Sequence, residues 1–218
     1  MKKLTTNPLF LLLLAVTILS LPACEKEKKG CMDSAASNYD PNAEIDDGSC
    51  ENSSSAVKRI FTTKGAYDGN LMQYCPSAPT GIEAADCICN NTAQAAALGG
   101  TWKAWISDAN TNAIDRIADV GPWYFVDGTT KIFNNKTNMT TTPIRTIARD
   151  ENGSGFDSQQ KTWTGTEFGG TASICNCNNW NDTNLMGTEG WVYGSNSTWT
   201  DNGCRACVVT NHIYCIEQ

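Results

Sequence analysis

Eleven cysteines in a chain of 218 residues constrain the fold more than any other feature of this sequence. If Cys24 carries lipid, ten remain, and an even set of cysteines in an exported chain predicts a disulfide framework whose pairing counting alone leaves open. A metal site is the competing interpretation, because three cysteine pairs have ligand-like spacing: Cys87-x-Cys89, Cys175-x-Cys177 and Cys204-x-x-Cys207. The single histidine and the oxidising compartment favour disulfides.

Residues 1–23 have the pattern of a secretory signal: Lys2 and Lys3 precede an apolar run that is too short to predict a membrane span. The letters LPAC at positions 21–24 resemble a bacterial lipobox, whose cysteine becomes the lipidated first residue of the mature protein. We therefore expect export, a palmitate-type anchor on Cys24, attachment to the bacterial outer membrane and display at the cell surface. The alternative is an ordinary signal peptide followed by a chance cysteine.

Residues 24–56 are expected to form a charged tether, a small disulfide-closed module at 30–50 bounded by Cys31 and Cys50, and a flexible linker. The module is similar to a short G-C-x-D…D-D-G-S-C unit found in secreted proteins of marine Bacteroidota. Its acidic side chains are oxygen donors of the type that calcium prefers, but they lack EF-hand spacing. Calcium is thus the one candidate cofactor, and a metal-free spacer is the favoured alternative. The candidate ligands are Asp33, Asp40, Asp46 and Asp47.

Residues 57–218 have the length of one domain, yet Leu, Ile, Val and Phe are sparse in them. All seven tryptophans and eight of the cysteines lie in this segment. Because each aromatic side chain buries a large area, we predict a core of tryptophan, alanine and cystine, with long ordered loops between short elements.

The stretch from Gly81 to Trp105 predicts a helix that runs into a buried strand. Small apolar residues at positions 85, 89, 93 and 96 form one helical stripe, and Gly99-Gly100 is expected to end the helix. Residues 107–117 predict a second helix capped by Ser107. Short strands are expected at 57–63, 102–106, 123–126, 161–165 and 208–216, which gives an α+β class with antiparallel strands.

Several short matches, in the same order along residues 81–217, resemble endostatin, a fragment of type XVIII collagen with a C-type lectin-like fold. They are Gly81-Ile82, Ala85-Asp86, Cys89, Gly100-Thr101, Lys103-Ala104-Trp105, Trp163-x-Gly165, Cys177-x-x-Trp180 and Cys207…Cys215-Ile216-Glu217. The resemblance extends to bacterial endostatin-like domains, including leptospiral endostatin-like outer-membrane lipoproteins. It implies a disulfide-stapled C-type lectin-like fold with two helices.

The resemblance also implies two disulfides, Cys89 with Cys215 and Cys177 with Cys207. The other four cysteines have no counterpart in it, and we expect Cys175 to pair with Cys204 and Cys75 with Cys87. Because Trp199-Thr200-Asp201-x-x-Cys204 is similar to a W-N-D-x-x-C motif of ordinary C-type lectins, Cys204 in place of Cys207 is an alternative.

Several chemistries find no support in the sequence. The E-P-N or Q-P-D tripeptide of calcium-dependent lectins is missing, and Asp182 and Asp201 are expected to cap turns or face solvent. The arginines are scattered and the net charge is −7, so binding of polyanions or nucleic acid is not expected. His212 is expected to be structural, there is no G-x-S-x-G motif, and Asp150-Glu151 is expected to face solvent in a turn.

The sequence therefore predicts a non-enzymatic surface lipoprotein, an adhesin or a capture module for an extracellular protein or glycan. A structural envelope component without a soluble ligand is the alternative, and a glycan-active enzyme is the least favoured hypothesis. The ligand-binding surface is expected on the long loops between Trp123 and Thr200, and its candidate residues are aromatics that could stack on sugar rings or pack against a protein: Trp191, Tyr193 and Trp199.

Overall fold

The computed structural model describes residues 27–32, 34, 36, 38–50 and 57–218. They fall into two compact units that divide after residue 53, and each unit is described by itself. The expected signal sequence, Cys24 and the candidate calcium ligand Asp33 lie outside the described residues. Within the described part of the chain, no helix is both long and apolar enough to cross a bilayer.

The small unit is built on two very short parallel strands, β1 (Lys29–Gly30) and β2 (Ile45–Asp46). A disulfide joins Cys31 to Cys50, 19 positions apart. A segment of this size has little apolar surface to bury, so its folding relies on the covalent bond more than a larger domain would.

The larger unit is a mixed α and β structure with an eight-stranded sheet. Its strands are β3 (Lys58–Thr62), β4 (Trp102–Ala104), β5 (Trp123–Tyr124), β6 (Lys131–Phe133), β7 (Lys161–Trp163), β8 (Met186–Trp191), β9 (Cys204–Ala206) and β10 (His212–Glu217). They are ordered β6-β5-β3-β10-β7-β8-β9, and β4 also pairs with β10. Five of the strand pairs in this sheet are antiparallel, as expected, whereas β10–β7 and β3–β5 are parallel.

The main helix, α1 (Gly81–Ala95), begins after the N-cap residue Thr80. The Thr80 hydroxyl accepts a hydrogen bond from the Glu83 N–H at 3.3 Å and donates to the Glu83 carboxylate at 2.8 Å. The helix ends earlier than the glycine pair predicts. Ala97 adopts φ 55°, and the Leu98 N–H donates to the Ala93 carbonyl at 2.9 Å, which is the Schellman pattern with alanine where glycine is usual.

The second helix, α2 (Ala113–Arg116), is much shorter than predicted, and Ser107 is not its cap. Ser107 is fully buried, and its hydroxyl accepts a hydrogen bond from the Ala113 N–H at 2.8 Å. The Ser107 N–H donates to the Thr164 carbonyl, so this residue joins two distant segments instead of starting a helix.

The third helical element, α3 (Cys177–Trp180), is a left-handed turn. All four of its residues have φ between 51° and 66°, although none is glycine. Left-handed conformations are costly for such residues, about 1–2 kcal/mol each by steric estimates and less for asparagine. The turn is held by the Cys177–Cys207 disulfide and by the buried Trp180, whose indole donates to the Ser107 carbonyl at 2.7 Å.

The central strand β10 separates two buried layers, because its side chains alternate between the faces of the sheet. Ile213 and Cys215 belong to the layer that contains α1, which we call the helix layer. Tyr214 and Ile216 belong to the opposite layer, called here the aromatic layer, which also contains large aromatics. These include Trp105, Trp123, Phe133 and Trp199.

Six tryptophans are fully buried, and each indole N–H donates a hydrogen bond. The acceptors are Gly99 O for Trp102, Thr200 Oγ1 for Trp105, Glu217 O for Trp123, Tyr67 O for Trp163, Ser107 O for Trp180 and Thr141 O for Trp199. A buried indole needs such a partner, and here most of the acceptors lie in irregular segments. The tryptophans therefore fill the core and also fix the loops around it.

Four disulfides cross-link the larger unit: Cys75–Cys87, Cys89–Cys215, Cys175–Cys204 and Cys177–Cys207. With Cys31–Cys50, they coincide with the pairs that the sequence analysis expected, and the alternative with Cys204 in place of Cys207 is not observed. The predicted class, mixed α and β with many disulfides, is confirmed. The Cys89–Cys215 bond ties α1 to β10 across 126 positions and thus fixes the helix layer to the centre of the sheet.

Candidate functional site

The three aromatic residues expected to bind a ligand lie in different environments, and Trp199 is not available at the surface. Its side chain is 0% exposed, and its ring centroid lies 5.0 Å from that of Trp105. The chain after β8 turns back in a 3₁₀ turn, Ser197–Trp199, so closely that a Cβ at Gly190 would collide with the Trp199 carbonyl. The assignment of Trp199 as a ligand-binding residue is therefore wrong, because the side chain belongs to the aromatic layer.

Trp191 is the only tryptophan of the chain that is not fully buried in the structure. Its indole N–H donates to the Ser158 carbonyl at 2.7 Å, which fixes the ring at the end of β8. The Lys161 ammonium lies 5.0 Å from the ring centroid, on its face. One face of the ring is thus partly covered by a cation.

Tyr193 lies beside a surface cavity of about 420 Å³, which we call the arginine cavity. The Tyr193 hydroxyl donates to the Phe156 carbonyl at 2.6 Å, so the ring is held in place at the cavity wall. The cavity is lined by Phe125, Thr130, Arg145, Thr146, Ala148, Arg149, Gly153, Gly155 and Tyr193. Its volume lies within the range of about 300–1,000 Å³ that is usual for small-ligand sites.

Arg145 and Arg149 give this cavity its charge, and the expectation that the arginines are scattered is wrong for this pair. Both side chains are exposed, and neither forms an ion pair within the described residues. The Arg149 guanidinium lies 5.5 Å from the Phe125 ring centroid and donates to the Gly153 carbonyl at 3.3 Å. Arg145 makes no hydrogen bond to another residue in the part of the chain that the structure describes, so its donors can reach a ligand.

Two other arginines have structural roles in this protein. Arg59 forms a bidentate pair with Glu217, at 2.7 and 2.8 Å. Arg116, whose side chain is 6% exposed, donates to the Asp86 carboxylate at 2.6 Å and also to backbone carbonyls. Within the described residues neither guanidinium of the arginine cavity has a carboxylate partner, which distinguishes them from arginines that hold the fold together.

The loop that carries Arg149 is closed by the next residue, Asp150, which is buried and does not face solvent as the sequence suggested. Its carboxylate accepts hydrogen bonds from the N–H groups of Asn152 at 2.9 Å and Ser154 at 2.8 Å. The neighbouring Glu151 accepts from the Lys64 N–H at 2.8 Å. Both carboxylates therefore shape the loop beside the cavity.

The turn on the other side of the cavity is held by Asp127. Partial desolvation acts to raise the pKa of its carboxyl, but the Thr130 and Thr129 N–H groups and the Thr130 hydroxyl lower that pKa to about 2. These hydrogen bonds are each 2.8 Å long. Thr130, which lines the cavity, is positioned by this turn.

His212 is buried at the start of β10. Its Nδ1 lies 3.1 Å from the Gly65 carbonyl oxygen and its Nε2 lies 3.0 Å from Gln160 Oε1. Burial lowers the pKa of the imidazole below its ordinary value, although the Gly65 carbonyl opposes this shift. The ring also packs on Phe156 with 4.8 Å between the ring centroids. It therefore connects β10 to the residue whose carbonyl holds Tyr193 at the wall of the arginine cavity.

The three described candidate calcium ligands each close a local turn. Asp40 accepts from the Asn42 N–H at 2.9 Å, Asp46 from Gly48 at 3.1 Å and Asp47 from Ser49 at 3.0 Å. Asp40 also pairs with Lys28 at 2.7 Å, and the hydrogen bond from Lys28 lowers the pKa of the Asp40 carboxyl. Among the residues that the structure describes, no group of three or more His, Cys, Asp or Glu side chains is placed to hold a metal ion.

The sequence analysis did not identify Arg145 and Arg149 as site residues, because the sequence does not show that they lie near Tyr193. Their spacing in Arg145-Thr-Ile147-Ala-Arg149, with a cation on either side of a buried isoleucine, could have indicated that both side chains lie on one exposed face. Comparison with known proteins found neither a family model nor a curated protein that matches the chain.

Proposed function

We propose that the larger unit is a non-enzymatic binding module that captures a ligand through a carboxylate group in the arginine cavity. The observation that carries this proposal is the presence of two guanidiniums on one concave surface, neither of them in an ion pair within the described residues, in a chain with net charge −7. Guanidinium groups bind carboxylates in a bidentate geometry, and Phe125 and Tyr193 supply aromatic walls beside them. A single carboxylate suits the cavity better than a polyanion, which the overall negative charge repels.

The carboxylate could belong to an acidic sugar or to a protein, as in an adhesin. An array that carries uronic and sialic acid glycans in one arm and acidic peptides in the other separates these sources. We expect the purified full-length chain to bind one arm, and the variant Arg145→Glu/Arg149→Glu to bind at least tenfold more weakly.

A charge-matched control is Lys29→Glu/Lys136→Glu, which changes the net charge equally at positions outside the cavity lining. Equal binding by the cavity variant and the wild-type chain would contradict the proposal. If neither protein bound any carboxylate ligand, the alternative of a structural envelope component would take its place.

We also propose that this module is an endostatin-like domain with a C-type lectin-like fold. The Cys89–Cys215 and Cys177–Cys207 bonds support this proposal, because the sequence resemblance implies both. The sheet centred on the C-terminal strand and the long indole-fixed loops are compatible with it.

The display of the module on the outer membrane through lipid on Cys24 is part of the same proposal. Labelling of cells with a palmitate analogue should mark the wild-type chain and leave Cys24→Ala unlabelled. Protease treatment of intact cells then tests surface display, since a surface protein is cleaved and an inward-facing one is protected.

A further inference from the structure

A second polar cavity lies on β8, around a carboxylate that no cation neutralises. Glu189 is 9% exposed, and no lysine or arginine lies within ion-pair distance of it in the described chain. Its carboxylate accepts a hydrogen bond from the Asn211 amide at 3.2 Å and a long one from the Asn202 amide at 3.5 Å. Because a carboxylate has about four acceptor positions, this buried group has capacity for further donors.

The strand register places cations on both sides of this carboxylate. Glu189 pairs with Trp163, while Lys161 pairs with Trp191 on one neighbouring strand and Arg205 pairs with Gly187 on the other. Directly opposed residues in antiparallel strands share a face of the sheet, and so do residues two apart in one strand. Lys161, Glu189 and Arg205 therefore share one face, on strands that a disulfide at Cys204 helps to hold.

These side chains line a cavity of about 400 Å³ together with polar neighbours. The amides of Gln160 and Asn211 line the wall, and Val209 is the one apolar side chain in the lining. The cavity thus offers alternating hydrogen-bond donors and acceptors, with little apolar surface. Such a lining does not suit an apolar ligand, whose burial drives binding only against apolar walls.

We propose that this cavity binds one neutral sugar ring without calcium, with two hydroxyls donating to Glu189 and others accepting from Lys161, Arg205 and the amides. A hydroxyl both donates and accepts, so vicinal hydroxyls match a carboxylate flanked by donors. A ligand cation is disfavoured by the two positive side chains, and a ligand anion is disfavoured by the carboxylate. This cavity shares no lining residue with the arginine cavity.

The test uses the ¹⁵N-labelled full-length chain titrated with methyl α-glucoside and methyl α-mannoside in the presence of EDTA. We expect saturable, millimolar-range shifts of the Asn211 side-chain amide and of the neighbouring Trp191 indole signal. The isosteric Glu189→Gln should weaken binding at least tenfold, because an amide accepts through one oxygen only. Glu167→Gln, at an exposed glutamate outside this cavity, is the matched control and should bind as the wild type does.

If Glu189→Gln failed to fold, the exposed Arg205→Gln would serve, with an expected loss of at least threefold. The absence of saturable shifts, unchanged affinity in Glu189→Gln or Arg205→Gln, or loss of binding on adding EDTA would overturn the inference. Binding of the neutral sugars should be unchanged in Arg145→Glu/Arg149→Glu. The proposals for this cavity and for the arginine cavity are therefore tested independently.

Discussion

The two buried layers of the larger unit are stabilised by different sets of interactions. The helix layer contains five buried half-cystines, from Cys75, Cys89, Cys177, Cys207 and Cys215, and the small side chains of α1. The aromatic layer contains no buried cysteine and is filled by tryptophan, phenylalanine, tyrosine and isoleucine. Both layers contain buried aromatics, since Trp102, Trp163 and Trp180 belong to the helix layer, but only the helix layer adds buried covalent bonds to that packing.

The two layers also differ in whether they border the arginine cavity. The arginine cavity borders the aromatic layer, and Phe125 belongs to both. The Cys89–Cys215 bond fixes α1 to β10 on the opposite side of the sheet, and no cysteine is among the buried residues of the aromatic layer. The following predictions test this contrast between a cross-linked layer and a packed one.

The largest effect is expected in the helix layer, from Cys89→Ser/Cys215→Ser. Removing a cross-link over 126 positions should lower the free energy of unfolding by about 4–5 kcal/mol in the chain-entropy model. We expect the variant to be unfolded or close to it when measured by denaturant titration. The control Lys103→Ala changes β4, which pairs with β10 beside Cys215, but it should change stability little, because its ion pair with Asp86 is partly exposed. A fully stable double variant would contradict the covalent role of this bond.

In the aromatic layer, loss of side-chain packing should have the largest effect on the free energy of unfolding, and Trp199→Ala tests this. Truncating a fully buried tryptophan should lower the free energy of unfolding by about 3–5 kcal/mol, measured in the same titration. Trp191→Ala, at the half-buried tryptophan, should lower it by about 1 kcal/mol or less. Equal losses for the two variants would show that Trp199 is not the core residue described above.

A smaller effect of opposite sign is expected at the end of α1. Ala97 adopts a left-handed conformation, so Ala97→Gly should raise the free energy of unfolding by about 1 kcal/mol. Ala95→Gly, inside the same helix, should instead lower it by about 0.5–1 kcal/mol. Thermal unfolding of the pair measures both effects, and a destabilising Ala97→Gly would show that the helix ends elsewhere.

The mildest effect concerns pH and His212. Burial lowers the pKa of this imidazole in the folded protein, whereas in the unfolded chain it titrates near 6.5. Below that pH the unfolded state binds a proton that the folded state does not, so stability should fall as the pH decreases from 6.5 toward the folded-state pKa. His212→Gln should flatten this part of the stability profile. An identical profile in the variant would assign the pH dependence to other groups.

The sequence predicted the parts of this fold that depend on local pattern. The stripe at Ala85 and Cys89 identified α1, and the resemblance supplied its bond to Cys215, which no periodicity could show. The left-handed turn at Asn178 and Asn179 was not predictable, because a distant disulfide and the buried Trp180 impose it. Trp199 was misplaced because it follows a polar run, and only the tight return against Gly190 directs its side chain inward.

The candidate site was less predictable than the fold. Tyr193 was identified as an aromatic in a loop, but Arg145 and Arg149 are separated from it by more than forty positions, and Glu189 faces partners on three segments. Convergence of this kind is set by sheet register and loop closure, neither of which leaves a local sequence signal.

The most direct test of the binding-module account follows the Arg145 and Arg149 side-chain Nε–H signals of the ¹⁵N-labelled full-length chain during titration with sodium glucuronate. The account predicts saturable shifts of both signals, no comparable shift with methyl α-glucoside, and unchanged signals from the internally paired Arg59 and Arg116. If both signals stayed in place, or if all four arginines moved together as they would with a general ionic effect, the arginine cavity would not be a carboxylate site.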